Sequence, residues 1–265
     1  MLGLQAAVVA APREAPRVDA LKRLNGRWWA IVPAASIVVV IFAIRFASGT
    51  ATGLTYLALV AVPPLAAAAL ACAARGPDRW PRARIVGGVL LAGALFALAW
   101  IQHTSLVGEG AGALLSALSC VTLGVLLRAV TPPTWLKLGI IAMAAADTWL
   151  VISDLLQAPN ATLIAAHPPA GLPRLQSEIF GSVSMGYGDM FVAGLLGALL
   201  AGDRPTQRAA ALMTLLIAGA FDVLFLVLTE LPATVPVALT LIVIEGISAL
   251  RRRSRPVDAL PRRAT

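Results

Sequence analysis

Long apolar stretches separated by short polar connections run through almost the whole of this 265-residue chain. Hydrophobic residues make up 59% of it and charged residues only 13%, which separates it from ordinary soluble domains. A helix needs about 20 apolar residues to cross a hydrocarbon core of about 30 Å. The stretches that approach this length are Trp28–Phe46, Leu54–Ala74, Arg84–Ile101, Ala111–Val130, Trp135–Leu156, Ile179–Ala201, Arg208–Thr229 and Thr234–Leu250. We therefore predict an all-α polytopic membrane protein with about eight transmembrane helices.

The basic residues lie in every second connection between these stretches. They precede the first predicted helix and follow the second, fourth, sixth and eighth. The intervening connections hold no lysine or arginine, except for Arg174 in the connection Gln157–Glu178. The positive-inside rule therefore places both termini in the cytoplasm, in agreement with an even number of helices. Because the charge is spread between helices, the net charge of +8 does not indicate a nucleic-acid partner.

One membrane domain accounts for nearly the whole sequence. We predict it at residues 28–250, with a four-helix N-terminal part at 28–130 and a second part at 135–250. Residues 1–27 begin with an apolar run too short to span a membrane, so we interpret them as a cytoplasmic segment that is helical at most in part. Residues 251–265 form a basic cytoplasmic tail. The arginine- and alanine-rich composition and the lack of soluble domains favour a prokaryotic plasma membrane.

Acidic residues fall within or near several predicted helices. They are Asp147, Asp154, Asp189, Asp222 and Glu245. A carboxylate at the centre of a membrane helix costs from about 2.5 kcal/mol upward and normally faces the protein interior or a wet cavity. Asp189 follows the outer start of its predicted helix by ten residues, and Asp147 precedes the outer end of its own by nine. At a rise of 1.5 Å per residue, both lie about 14–15 Å below the same surface, so we predict that they meet.

For the other three acids we prefer non-catalytic roles. Asp154 fits a solvated helix end, and Asp222 and Glu245 fit hydrogen bonding between helices or an ion path. For Asp147 and Asp189, two neighbouring carboxyl groups in a low-dielectric site cannot both ionise, so one keeps its proton. Such a pair can hydrolyse an amide, because one member takes a proton from water while the other polarises the carbonyl.

Glycines and prolines mark two elements beside this pair. Gly186-Tyr187-Gly188 directly precedes Asp189, and its glycines leave room for a substrate backbone or a water and weaken the helix. The segment Glu230–Pro236 contains two prolines, so the last helix can hardly begin before Pro236 unless a proline occupies its first turn. An ordinary helix-initiating turn explains the second element equally well.

The order of these residues resembles the GxGD class of intramembrane aspartyl proteases, in particular the presenilin and signal peptide peptidase branch. In that branch one aspartate usually follows tyrosine, the second ends a Gly-Leu-Gly-Asp motif on the next helix, and a Pro-Ala-Leu turn precedes the last helix. Here Asp147 matches the first aspartate, Gly186-Tyr187-Gly188-Asp189 the motif, and Pro232-Ala233-Thr234 the turn. The resemblance covers roughly Lys137 to Ser248 and implies a presenilin-like helical bundle.

The sequence departs from that branch at several positions. Ala146, Tyr187 and Thr234 replace the usual tyrosine and two leucines, and we predict eight helices where nine are usual. Prepilin peptidases, another branch of the class, often have Gly-Tyr-Gly-Asp and about eight spans. However, they usually carry a basic residue after that aspartate and a longer interval between the aspartates, and they lack the proline turn. We therefore favour the presenilin-like branch.

Other protease mechanisms, and another class of protein, are alternatives to an aspartyl protease. A zinc protease needs a His-Glu-x-x-His type of ligand set, but His103 and His167 lie in connections. A serine protease needs a histidine at depth, and none is present. Cys72 and Cys120 fall inside predicted helices, where we interpret them as packing residues. A transporter or channel remains the alternative of another class, with the acids that lie at depth as proton or cation sites.

We therefore expect an intramembrane aspartyl endopeptidase that cleaves transmembrane segments or remnant signal peptides without a cofactor or metal. The expected catalytic residues are Asp147 and Asp189. The expected substrate-binding residues are Gly186, Tyr187, Gly188, Pro232, Ala233 and Thr234. The turn can pair with an unwound substrate strand, and the connection Gln157–Glu178 is either a gate or a plain connector. The expected partners are a transmembrane peptide and the lipid bilayer, with no nucleic acid.

Overall fold

A computed structural model gives the fold of most of the chain. It describes residues 1–13, 26, 35, 39, 49–74, 81–153, 155, 161–163, 165–166, 168–181, 183–226 and 232–253. The helices are α1 Leu2–Ala10, α2 Thr50–Ala73, α3 Pro81–Ile101, α4 Leu106–Val130, α5 Pro133–Ile152, α6 Tyr187–Leu200, α7 Arg204–Asp222 and α8 Val235–Arg253. Short 3-10 turns cover Pro169–Gly171 and Val223–Leu226. Except for Ala35 and Val39, the predicted helix Trp28–Phe46 lies outside the described residues, as does the tail after Arg253.

Four helices of the described part are long and apolar enough to cross a membrane. They are Thr50–Ala73, Arg82–Ile101, Leu106–Val130 and Pro133–Ile152. Each coincides with a predicted stretch to within a few residues. Large apolar side chains on their surfaces are widely exposed; Ile101 and Ile152, for example, are 77% and 78% exposed. Apolar side chains of this kind favour a lipid environment over water, so these helices indicate a membrane protein.

Residues at helix starts explain several of the observed boundaries. Ser105 caps α4 by accepting a hydrogen bond from the backbone N–H of Gly108 at 3.2 Å. Pro133 occupies the first position of α5, where its fixed φ and missing N–H carry no penalty. Asp203 caps α7, and the side-chain and backbone hydrogen bonds from Thr206 hold the pKa of its carboxyl below the usual range.

The prediction of one helix over Ile179–Ala201 is wrong. Strands β1 (Ser177–Phe180) and β2 (Val183–Gly186) form an antiparallel hairpin in which Phe180 pairs with Val183. Gly181 takes a φ of 61° in the turn, a conformation that other residues rarely adopt. The β-branched and aromatic residues of both strands favour extended backbone, and the glycines that follow weaken a helix. The fold is therefore mostly helical and not all-α, and α6 begins only at Tyr187.

A close helix contact lies between α4 and α6. A Cβ atom added at Gly194 would lie 2.5 Å from the carbonyl oxygen of Cys120, and one added at Gly124 would lie 2.5 Å from the carbonyl oxygen of Gly194. The two backbones therefore touch, which is possible only for glycine. Around this contact the side chains of Val192, Leu195 and other α6 residues are fully buried. Helix α6 is thus held firmly against α4.

Helix α1 belongs to the same core. Val8 and Val9 are 3% and 0% exposed, and α1 packs against α6 and α7. The side-chain amide of Gln207 on α7 donates to the carbonyl oxygens of Val9 at 2.9 Å and Pro12 at 3.0 Å. The apolar start of the chain is therefore part of the folded core.

Candidate active site

Asp147 lies near the C-terminal end of α5, and its hydrogen-bond partner comes from the turn before α8. Thr234 Oγ1 donates to Asp147 Oδ2 at 2.6 Å, and the backbone N–H of Thr234 also bonds to this carboxyl. The turn is closed by the N–H of Val235, which donates to the carbonyl oxygen of Pro232 at 3.2 Å. Helix α8 begins at Val235, so Pro236 occupies its first turn, which is one of the two arrangements that the sequence allowed.

Asp189 is the third residue of α6 and does not lie in the middle of a long helix. Its Oδ2 accepts a hydrogen bond from the backbone N–H of Gly186 at 3.1 Å, which closes the first turn. A Cβ atom at Gly186 would lie 3.1 Å from that same oxygen, which is a tight contact. Glycine at position 186 therefore lets the carboxyl group fold back over the helix start.

The structure brings Asp147, Asp189 and Thr234 together. Asp147 is close enough to Asp189 for the charge on one carboxyl group to act on the other. The depth argument from the sequence rested on a wrong helix start, because β2 and not a helical turn precedes the motif. The two carboxyl groups nevertheless lie within the range of electrostatic interaction, and α5 packs against α6. Two adjacent carboxyl groups can share one proton, and their titration then belongs to the pair.

Tyr187 points toward α4 and holds the motif there. Its hydroxyl lies 2.6 Å from Ser119 Oγ, and Ser119 donates to the carbonyl oxygen of Ser116 at 2.7 Å. Because the hydroxyl of Ser119 donates its one proton to Ser116, Tyr187 is the donor in the hydrogen bond between Tyr187 and Ser119. Ser116 in turn donates to the carbonyl oxygen of Leu175, just before the hairpin, at 3.1 Å. The hydroxyl of Tyr187, a predicted substrate-binding residue, is thus committed to an anchoring contact.

We expect Tyr187→Phe to lower the free energy of unfolding by about 1 kcal/mol, because it removes one partly buried hydrogen bond. The measurement is thermal unfolding of the protein in detergent, followed by tryptophan fluorescence. Tyr56→Phe is the matched control, since Tyr56 on α2 is 47% exposed. Equal unfolding temperatures for the two variants would contradict the anchoring role.

At Gly188, unlike Gly186, an added side chain would not contact Asp189 Oδ2 or another group of the described residues. Gly188 is exposed, and a Cβ atom added there would meet nothing within 4 Å. Gly188 lies directly before Asp189 in the chain. Among the described residues, the face of α6 directly before Asp189 is therefore open.

The other acids of the described part do not join the pair. Glu245 Oε1 on α8 lies 2.6 Å from Lys137 Nζ on α5, and this ion pair joins the two helices at their other ends. Asp222 is exposed at the end of α7, and Asp154 lies outside the described residues. His103, next to Gly171, is bound through Nδ1 to the carbonyl oxygen of Trp100 at 3.1 Å. The described residues contain no group of three or more histidine, cysteine or acidic side chains that could hold a metal.

An apolar groove of about 400 Å³ runs between α5 and α8, beside Asp147. Six of its lining residues are Ala144, Ala145, Thr148, Val235, Ala238 and Leu239. Its α5 residues come before and after Asp147 in the chain, its α8 residues belong to the first turns of that helix, and it is open to the outside of the helix bundle. A long apolar side chain can therefore occupy it next to the part of α5 that carries Asp147.

The connection Gln157–Glu178 is described only in part. Trp100 Nε1 donates to the carbonyl oxygen of Ala170 at 3.1 Å, which fixes this part of the connection to the end of α3. Beyond it, Glu109 Oε2 on α4 accepts from the N–H of Gly181 at 2.7 Å and fixes the hairpin turn. The described part of the connection thus leads directly into the hairpin that carries the motif.

Two residues of this site were not expected from the sequence. Ser119 is a small polar residue in an apolar helix, and its partner Tyr187 lies 68 positions away. Gln5 on α1 donates to the carbonyl oxygen of Ala233 at 3.0 Å and is likewise distant in sequence. The one available signal was that each is a hydrogen-bonding side chain within an apolar run.

No protein-family model, curated protein or solved structure matches the chain.

Proposed function

We propose that the protein is an intramembrane aspartyl endopeptidase of the GxGD class, with Asp147 and Asp189 as its catalytic pair. The observation that carries this proposal is that two carboxyl groups from α5 and α6 lie within electrostatic range of each other, each oriented by a separate donor. The Gly186-to-Asp189 motif and the turn Pro232–Thr234 lie at the same point of the fold, which supports the presenilin-like branch.

The pair supplies general acid–base catalysis. The ionised carboxyl group takes a proton from a water molecule, whose oxygen bonds to the carbon of the scissile amide. The protonated partner donates its proton to the carbonyl oxygen as negative charge develops there. When the carbon–nitrogen bond breaks, one carboxyl group donates its proton to the leaving nitrogen and the other takes a proton from a hydroxyl group on the same carbon, so the pair again holds one proton. The donors Thr234 and Gly186 keep the carboxyl groups oriented throughout.

An unwound substrate strand has two candidate partners beside the pair. Strand β2 ends one residue before Tyr187, and Val183, Ser184 and Gly186 in it are exposed. The turn Pro232–Thr234 lies on the other side of Asp147. An extended peptide can add to the edge of a two-stranded sheet through backbone hydrogen bonds, which exposes its amides to hydrolysis. The substrate is then a transmembrane segment or remnant signal peptide that arrives through the groove between α5 and α8.

The length of α6 supports a buried position for the pair. At a rise of 1.5 Å per residue, its 14 residues cover about 21 Å, less than the hydrocarbon thickness of about 30 Å. If its far end lies at the cytoplasmic surface, near Arg204 and Arg208, its first turn lies within the hydrocarbon layer. From the apolar stretches and the distribution of basic residues we propose a presenilin-like bundle of about eight spans with both termini in the cytoplasm, in a prokaryotic plasma membrane.

The proposal is tested with the purified chain in vesicles of phosphatidylethanolamine and phosphatidylglycerol. The substrate is a peptide with an apolar segment of about 20 residues and lysines at both ends. Mass spectrometry should find two fragments whose masses sum to that of the peptide plus one water. An intact peptide, together with proton flux into the vesicles that depends on Asp147, would replace the proposal by the transport alternative.

A second peptide distinguishes the two branches of the class. It carries a basic leader directly before an apolar segment, as a prepilin does. Cleavage within the apolar segment of the first peptide supports the presenilin-like branch. Cleavage of the second peptide alone, at the junction of leader and apolar segment, would favour the prepilin peptidase branch, which Tyr187 resembles.

We expect Gly188→Ala to raise KM by about three- to tenfold, because a methyl group then occupies the open face of α6 directly before Asp189. The unfolding temperature should not fall, since the same methyl group meets nothing within 4 Å among the described residues, apart from its neighbours in the chain. Gly219→Ala on α7 is the matched control, as a Cβ atom there also meets nothing within 4 Å. Unchanged kinetics for Gly188→Ala would show that the substrate does not approach along this face.

A further inference from the structure

The side chain of Gln5 on α1 is fixed in one orientation inside the core. It is 1% exposed, and its Nε2 donates to the carbonyl oxygen of Ala233 at 3.0 Å. Its Oε1 accepts no hydrogen bond from the described residues. Rotating the amide would bring Oε1 against the carbonyl oxygen, and two acceptors repel each other. The contact with Ala233 therefore decides the orientation of a costly buried amide.

Helix α1 is itself held in place at its C-terminal end. Besides the contacts that Gln207 makes with this end, Arg204 Nη1 donates to the carbonyl oxygen of Ala10 at 3.3 Å. Val9 is fully buried in the core cluster that also contains α6 side chains. Gln5 lies one helical turn before Val9, so its amide extends from a part of α1 that is held in place.

Thr234, the residue after Ala233, contacts Asp147, one member of the carboxyl pair. Thr234 Oγ1 donates to Asp147 Oδ2 at 2.6 Å, and a shift of about 1 Å would take the two oxygens beyond hydrogen-bond distance. We propose that α1 is a positioning element of the candidate active site, in which Gln5 holds the Ala233 carbonyl and thereby keeps the Thr234 hydroxyl on Asp147. This inference rests on the proposed function for its catalytic consequence, but the structural connection is independent of it.

The catalytic consequence is tested with a double-mutant cycle between Gln5 and Thr234. Gln5→Met keeps the length of the side chain and removes the donor, and Thr234→Val keeps the shape and removes the hydroxyl. We expect Gln5→Met to lower kcat about tenfold with KM changed less than twofold, because a small displacement of a catalytic contact is costly. In the Thr234→Val background the same change should lower kcat less than twofold.

A merely structural role of Gln5 predicts a different pattern. Val8→Ala removes packing from α1 and leaves the Ala233 contact intact, so it should lower the unfolding temperature but not kcat. An equal effect of Gln5→Met in both backgrounds, or an equal loss of kcat in Val8→Ala, would overturn the proposal. The conservative variant Gln5→Glu adds a prediction about the pH dependence of activity. Its activity relative to that of the parent chain should rise as the pH falls, since only the protonated carboxyl group can donate.

Hydrogen exchange tests the structural connection without any cleavage assay. We expect Gln5→Met to speed exchange of backbone amides in residues 233–240, and to leave residues 85–100 of α3 unchanged. Faster exchange without cleavage by the parent chain would support the connection and overturn the proposed function. Unchanged exchange in residues 233–240 would overturn this inference even if the parent chain cleaves its peptide.

Discussion

Asp147→Asn and Asp189→Asn should each reduce cleavage of the transmembrane peptide by about 10³-fold or more, because each removes one member of an acid–base pair. Asparagine keeps the size of the side chain, so the hydrogen bond from Thr234 or Gly186 can persist and the fold is kept. The variants are compared with the parent chain as initial rates in proteoliposomes, at matched amounts of folded protein.

The double variant makes this prediction sharper. Groups that act as one unit are not additive, so Asp147→Asn combined with Asp189→Asn should lose little more than either single variant. Asp222→Asn serves as the control, since Asp222 is an acid of the same kind that is exposed at the end of α7. Retained cleavage by either single variant would exclude the acid pair as the catalytic group.

Gly194→Val should lower the free energy of unfolding by about 3 kcal/mol or more, because the added side chain cannot fit between α4 and α6. Its Cβ atom alone would lie 2.5 Å from the carbonyl oxygen of Cys120, and backbone at that contact cannot move without separating the helices. Since Asp189 is on the same helix, cleavage should fall together with stability.

The unfolding temperature in detergent measures this effect, and Gly93→Val is the matched control. A Cβ atom at Gly93 would meet nothing within 4 Å, so the control adds the same atoms to an exposed position of α3. If Gly194→Val unfolded at the same temperature as Gly93→Val, the contact between the α4 and α6 backbones would be refuted.

Apolar length was sufficient to predict α2 to α5, because crossing a membrane requires about 20 residues whatever surrounds them. It failed at Ile179–Ala201. There the β-branched and aromatic residues of the two strands are as apolar as a membrane helix, and only the glycines indicated a different backbone. Asp189 is a candidate because of its motif, although the helix that carries it begins only at Tyr187 and not at Ile179.

Roles that depend on distant partners could not be read from the sequence. Thr234 is predicted to bind substrate, and the hydrogen bond that it donates to Asp147, 87 positions earlier in the chain, could not be predicted. The apolar start of the chain is too short to span a membrane, so its burial against α6 and α7 depends on packing that the sequence does not reveal. The contact of Gln5 with Ala233 depends on the same packing and could not be predicted either.

The shortness of α6 has a consequence for the supply of water. In the proposed orientation, the helix covers only part of the hydrocarbon thickness, and the hairpin β1–β2 covers the rest on the non-cytoplasmic side. The unpaired backbone groups of a two-stranded hairpin cannot be left in contact with lipid, so its edges must face protein or solvent. A hydrolase in a membrane consumes one water for every bond it cuts. Of these two surroundings, solvent along the hairpin edges would supply the proposed hydrolase with water, by a route that an uninterrupted spanning helix would have sealed.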